Sequence, residues 1–145
     1  MPRSRFVRPE TDTIKLSEGD TITVRRRLTV GERRAMYARM YKPDTTKVDP
    51  LRVESSTVVA YLLDWSFVGD DGRKVPIEDL SPADLTVVID GLEADDFREL
   101  ADAIGEHIGR MDAERTAEKN GQAGEIKSSP ISPSLGSTDG VLTTS

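Results

Sequence analysis

Between residues 13 and 25 apolar and polar side chains alternate. Ile14 and Leu16 lie on one side of a Ser17-Glu18-Gly19-Asp20 turn, and Ile22 and Val24 on the other. A period of two among β-branched residues around a Gly-containing turn predicts a β-hairpin. Two strands alone are marginal in water, so this hairpin must pack on something or pair with another chain. Residues 1–12 show no such pattern and are expected to be extended and flexible.

After the hairpin the spacing becomes helical. Thr29 and Glu32 stand at capping-box spacing. The helix expected over about 30–41 offers Met36, Tyr37 and Met40 as apolar contacts, with Arg33, Arg34 and Arg39 on its other face. Pro43 and Asp44 end it. A second helix is expected near 51–64, where Leu51, Val53, Val58, Val59, Leu62 and Leu63 make one stripe. The β-branched run Thr57-Val58-Val59 leaves a strand as the alternative, although the length favours a helix. Ser81-Pro82-Ala83-Asp84 opens a third helix, with a hydroxyl cap, proline at the first helical position and an acid three residues after the cap. It carries Leu85, Val88 and Ile89 and stops near Asp90-Gly91. A fourth helix is expected from about Ala94 to Arg115, because Phe97, Leu100, Ala101, Ile104, Ile108 and Met111 recur at steps of three and four. From 116 onward the chain is rich in Ser, Thr, Gly and Pro and lacks aromatics, so it cannot bury enough surface to offset the entropy of ordering it. The expected fold is mainly α: a single helical domain over 13–115 with an N-terminal β-hairpin, then a disordered tail or linker over 116–145.

Composition narrows the function classes. A chain of 145 residues defaults to one domain. Seven aromatic residues allow a modest core and argue against a large enclosed substrate pocket. With no cysteine, a disulfide scaffold, a thiolate zinc site and a cysteine nucleophile are excluded. No apolar run approaches the roughly 18 residues needed to span a membrane. The N-terminus MPRSRFVRPETD is basic but has no apolar h-region, so it does not read as a secretory signal. The net charge of −6 divides unevenly, +6 over residues 1–52 and −12 over 53–145. Arg25, Arg26, Arg27, Arg33 and Arg34 form a basic patch without interleaved aromatics or a groove-reading motif. The separation therefore reads as a dipolar surface for self-association or a protein partner, in preference to nucleic acid.

Candidate chemistry is sparse. Setting Gly72 at the sixth position of a calcium loop puts Phe67 and Gly69 at the first and third, where no side-chain oxygen is available. Asp71-Gly72 reads better as a turn that reverses the chain between Trp65–Val68 and Lys74–Ile77. His107, the single histidine, lies beside the apolar stripe of the long helix and reads as a surface or boundary residue, with no metal or base partner in view. Asp90, Glu93, Asp95, Asp96 and Glu99 gather at the entry to that helix, where its dipole favours negative charge. There is no phosphate-binding Gly loop and no dinucleotide fingerprint. No enzyme activity, metal or cofactor is expected.

Three stretches together carry a resemblance. They are Tyr61-Leu62-Leu63-Asp64-Trp65-Ser66-Phe67, Gly69-Asp70-Asp71-Gly72-Arg73-Lys74-Val75-Pro76, and Leu80-Ser81-Pro82-Ala83-Asp84-Leu85. The pattern resembles the tail assembly chaperones of long-tailed bacteriophages. In those, a helix ends in a W-x-(F/L) element, a D-(D/E)-G-x-x-(V/L)-P turn follows, and a further helix opens with a hydroxyl and an acid. The match covers about residues 60–112; the N-terminal hairpin has no place in it. The resemblance implies a non-enzymatic, mostly helical protein of the host bacterial cytoplasm. It would coat the tape-measure protein, recruit major tail tube protein subunits and be absent from the finished particle. A longer frameshifted form is often made in that family, and the segment from 116 would suit a linker to it.

A holding protein needs an apolar groove that a partner helix can cover. The candidate partner-binding faces surround Leu62, Trp65, Leu85, Val88, Ile89, Leu100 and Ile104; the competing reading places each of them in an ordinary core. Two rival functions remain. One is a virion structural component of the tail or head–tail connector, with the hairpin paired to a neighbouring subunit. The other is a small nucleic-acid-binding regulator using the Arg25–Arg34 cluster.

Overall fold

The computed structural model of the chain describes residues 4–123. The chain is mainly α with an N-terminal β-hairpin, and that hairpin grows into a three-stranded antiparallel sheet. Strands β1 (Thr11–Lys15) and β2 (Thr21–Arg25) are joined by a 3-10 turn over Ser17–Gly19, where Glu18 and Gly19 both take positive φ. β1 therefore takes in Thr11 and Asp12, two residues expected to belong to a flexible N-terminus.

The helices start where the capping signals put them. Helix α1 spans Val30–Arg39 behind a complete capping box: Glu32 N–H donates to Thr29 Oγ1 at 3.1 Å, and Thr29 N–H donates to the Glu32 carboxylate at 2.8 Å. Helix α2 spans Pro50–Tyr61, with the Asp49 carboxylate accepting from Leu51 N–H. Helix α3 spans Pro82–Asp90, with Ser81 Oγ accepting from Asp84 N–H at 3.2 Å. Helix α4 spans Ala94–Ala123. Ser, Thr and Asp side chains thus satisfy N–H groups that a helix cannot satisfy itself.

The second helix is shorter than its spacing predicts. It stops at Tyr61, and Leu62–Trp65 forms strand β3. β3 pairs antiparallel with β2, Ile22 opposite Trp65 and Val24 opposite Leu62, with an irregularity between Thr23 and Val24. The partner required by the hairpin is thus in the same chain, and tertiary pairing overrides the helical periodicity of Leu62 and Leu63. Ser66 locks the end of β3 to the start of β2: its Oγ accepts from Thr21 N–H at 2.9 Å and donates to Asp20 Oδ1 at 2.8 Å.

One core joins the sheet to the helices. Ile22, Val24, Leu28, Met36, Met40, Val58 and Val59 pack with Leu62, Trp65, Ile77, Leu85, Ile89, Leu100 and Ile104. Tyr37, expected inside, is half exposed, and Leu51, expected in the buried stripe, is 89% exposed. The segment 65–77 is an elbow. Val68 bridges to Lys74, Gly69 N–H donates to Arg73 O at 2.9 Å, and Gly72 at the tip has φ +74°. Trp65 stacks on Phe67 with ring centroids 4.7 Å apart, and its Nε1–H donates to Val75 O at 2.8 Å.

The chain divides at Gly109/Arg110 into two units. The first, Met1–Gly109, holds the sheet, α1–α3 and the start of α4. In the second, α4 runs on to Ala123, with Arg115 Nη2 3.5 Å from Asp112 Oδ1. Residues 116–123, expected in the disordered tail, are therefore helical. Their Ala, Glu, Lys and Gln content propagates a helix already nucleated, and the Ser- and Pro-rich composition sets in only afterwards. The rest of the expected tail, 124–145, lies outside the described residues.

Trp65 is 3% exposed. Trp65→Ala is expected to destabilise the protein by ~3–5 kcal/mol, the range for large aromatic truncations. Urea unfolding monitored by circular dichroism checks this; a loss below ~1 kcal/mol would place Trp65 outside the core.

Candidate functional site

The structure moves the expected partner-binding residues inward. Leu62, Trp65, Leu85, Ile89, Leu100 and Ile104 are buried, and Val88 packs against them half-buried. Side chains that enclose one another offer nothing to a second molecule, so these positions are corrected from docking surface to core.

The basic patch is divided as well. Arg25 Nε donates to Ala60 O at 3.1 Å, and its Nη1 lies 3.2 Å from the Glu32 carboxylate. Arg26 Nε is 3.5 Å from Asp12 Oδ2, and Arg27 also has a partner. These three tie the end of β2 to its surroundings. Arg33 and Arg34 stand apart from them, exposed on α1. Arg39, in the last turn of α1, has a buried Nε without a partner, and burial lowers its pKa.

His107 is fully buried, so the boundary assignment is corrected. Its Nε2 sits 2.9 Å from Arg25 O. A carbonyl only accepts, so Nε2 carries the hydrogen. Nδ1 is enclosed 3.7 Å from Asp12 Oδ2, and the ring meets Tyr61 edge-on at 6.2 Å. Glu99 also departs from the expected role at the helix entry. Its carboxylate reaches the hairpin turn and accepts from Ser17 N–H at 2.7 Å and from Ser17 Oγ at 2.8 Å. Among the described residues no three His, Asp or Glu side chains are grouped to hold a metal.

A concavity lies between α2 and α4. It is a groove of about 410 Å³ lined by Val53, Glu54, Thr57 and Val58 from α2 and Ala101, Asp102, Gly105 and Glu106 from α4. Each helix contributes positions i, i+1, i+4 and i+5, one face of two successive turns. Val53, Thr57, Val58, Ala101 and Gly105 make an apolar or small-residue floor, and Glu54, Asp102 and Glu106 make an acidic rim. A smaller groove of about 290 Å³ shares Glu54 and is bounded by Leu51, Ile89, Leu92, Ala94 and Phe97.

Arg98 reaches across from α4 to Glu54. Its two terminal nitrogens pair with the two carboxylate oxygens, Nη2 to Oε1 at 2.8 Å. Hydrogen bonding from Arg98 lowers the pKa of Glu54, and the same bond raises that of Arg98. A fork-to-fork pair of this kind fixes geometry more than it adds stability at an exposed site.

Sequence reasoning missed this groove. The usable signal was the repeat of small and acidic residues at 101/102 and 105/106, opposite Val53-Glu54 and Thr57-Val58. Comparison with protein-family models, with curated proteins and with solved structures gives no match. No helix among the described residues is long and apolar enough to cross a membrane.

His107→Ala leaves the Arg25 carbonyl without its donor and opens a cavity, and is expected to destabilise by ~3 kcal/mol. A denaturation midpoint within error of wild type would rule that out. For Glu54 the folded pKa lies below the ordinary value, so its contribution is full above the ordinary Glu range. It is lost as pH falls through the lowered value. Glu54→Gln should therefore flatten the acid limb of the stability profile below that range; an unchanged acid limb would show that the pair contributes nothing.

Proposed function

We propose that the chain is a non-enzymatic tail assembly chaperone of a long-tailed bacteriophage. It acts in the host bacterial cytoplasm, binds the tape-measure protein and recruits tail-tube subunits. The observation that carries this reading is the elbow. The residues of the family-like pattern, scattered over 61–85, converge on one packed unit: Trp65 on Phe67, Val75 O on the Trp65 indole, Asp71-Gly72 at the turn and Ser81 capping α3. A short pattern whose members all serve one local structure is more informative than the same letters spread over unrelated elements.

Physical economy of the surface supports a holding role. The large apolar residues of the helices are mostly inside, so each copy offers only a modest contact. Many such copies along one long client give strong overall retention through effective concentration. The single histidine is enclosed, which removes the commonest general base from solvent.

A second reading, a tail or head–tail structural component, draws on β1, one of the two outer strands of the sheet. An outer strand is where a neighbouring subunit would pair.

Co-expression with a candidate tape-measure protein is expected to give a copurifying complex, and mass spectrometry of purified particles is expected to lack this chain. Its presence in particles at structural stoichiometry would transfer the assignment to the second reading. Failure to retain any tape-measure protein would end the first.

A further inference from the structure

We infer that the chain associates head to tail with itself, the exposed face of α1 from one copy seated in the α2–α4 groove of the next. α1 has two faces. Met36 and Met40 are buried, and they hold the helix against its own core. On the outward face Val30, Arg33, Arg34 and Tyr37 follow at helical steps, and Tyr41 continues the line past the helix end. Val30 is 67% exposed and Tyr37 47% exposed. This outward face is apolar and basic together. Because α1 is fixed by its opposite face, and by the Arg25–Glu32 contact at its first turn, it cannot turn this stripe into its own protomer.

The α2–α4 groove is the complement. Its floor is Val53, Thr57, Ala101 and Gly105, and its rim is acidic. Arg98 pairs with Glu54 and also lies 3.7 Å from Asp102 Oδ1, so the three carboxylates of Glu54, Asp102 and Glu106 against one guanidinium leave the rim with a net charge of about −2. Paired with Arg33 and Arg34, the rim gives two charges against two. A Cβ built on Gly105 meets nothing within 4 Å, so the protomer's own packing does not require glycine there. Mid-helix glycine is unfavourable relative to alanine, and a second backbone brought close to the groove floor is a reason for it.

Stripe and groove are different patches on one chain. A contact between them is heterologous and repeats from copy to copy until it closes into a ring or runs on as a filament. It also uses the charge asymmetry of the sequence, the basic first part of one copy meeting the acidic later part of the next.

The test uses the full chain and size-exclusion chromatography with light scattering across a concentration series. Wild type should show mass rising with concentration, and the association should weaken as salt rises, because the charge contacts are screened. Arg33→Glu with Arg34→Glu, and separately Asp102→Lys with Glu106→Lys, should each weaken association by at least about tenfold. The decisive arm mixes the two double variants. Each keeps the patch the other lacks, in wild-type form, and the two reversed patches are again opposite in charge, so a one-to-one mixture should regain the association that neither variant shows alone. Gly105→Leu fills open space in the protomer, so it should keep the wild-type circular dichroism and melting temperature while losing association. It also serves as the groove variant should the charge reversals fail to fold.

A wild-type mass that stays monomeric at all concentrations overturns the inference. So does association that survives Gly105→Leu, or a variant mixture that remains monomeric. Capture of a basic amphipathic client helix by a protein that never self-associates would give the groove to the client instead. No client enters the main measurement, so its outcome is independent of the tail-assembly reading.

Discussion

The fold depends on the pairing of β2 with β3. β2 lies between the other two strands, and its Ile22 and Val24 are completely enclosed. The hairpin by itself would leave that face wet and that edge open. Closing the sheet with Leu62–Trp65 brings together segments forty residues apart, at a loop-closure cost that grows only slowly with length. Once β3 is in place, α2 before it and the elbow after it are positioned by covalent continuity. The groove between α2 and α4 therefore inherits one wall directly from this pairing.

The other wall is set by α4, which grips the hairpin at two points. Glu99 accepts from both donors of Ser17 at the turn, and His107 donates to the Arg25 carbonyl at the far end of β2. These anchors stand a little over two helical turns apart. Between them Leu100 and Ile104 enter the core, while Asp102, Gly105 and Glu106 face outward into the groove. A polar anchor at each end of a buried stripe fixes both rotation and register of a helix, which apolar contact alone does unselectively.

Local signals were legible in the sequence; pairing at a distance was not. The Thr29–Glu32 box, the Ser81 cap and the Asp71-Gly72 turn each involve side chains within a few residues, and each appears as expected. The stretch 58–65 misled because Val58, Val59, Leu62 and Leu63 satisfy a helical period, and only β2 decides that the last two belong to a strand. His107 and Glu99 misled for the same reason, since their partners lie 82 residues away. Tyr37 and Leu51 show the converse: the spacing places an apolar residue inside, and the helix turns it out. The concave surface runs opposite to the apolar pattern of the sequence. Leu62, Trp65, Leu85, Ile89, Leu100 and Ile104 are core, and the α2–α4 concavity is built from valine, threonine, alanine, glycine and acids.

That inversion has a physical basis which bears on how such a protein can bind. With seven aromatic residues in 145, a chain that folds at all must place most of its large side chains inside. Specific contact must then come from shape and charge on small residues: a groove shallow enough for a helix, a rim of one sign, an opposing stripe of the other. Such contacts are individually weak and salt-sensitive, and they select partners by excluding the wrong charge as much as by attracting the right one. Strength on that basis comes from repetition along a chain of copies or a long client. A surface of this kind suits assembly work, where contacts must form in number and later be released.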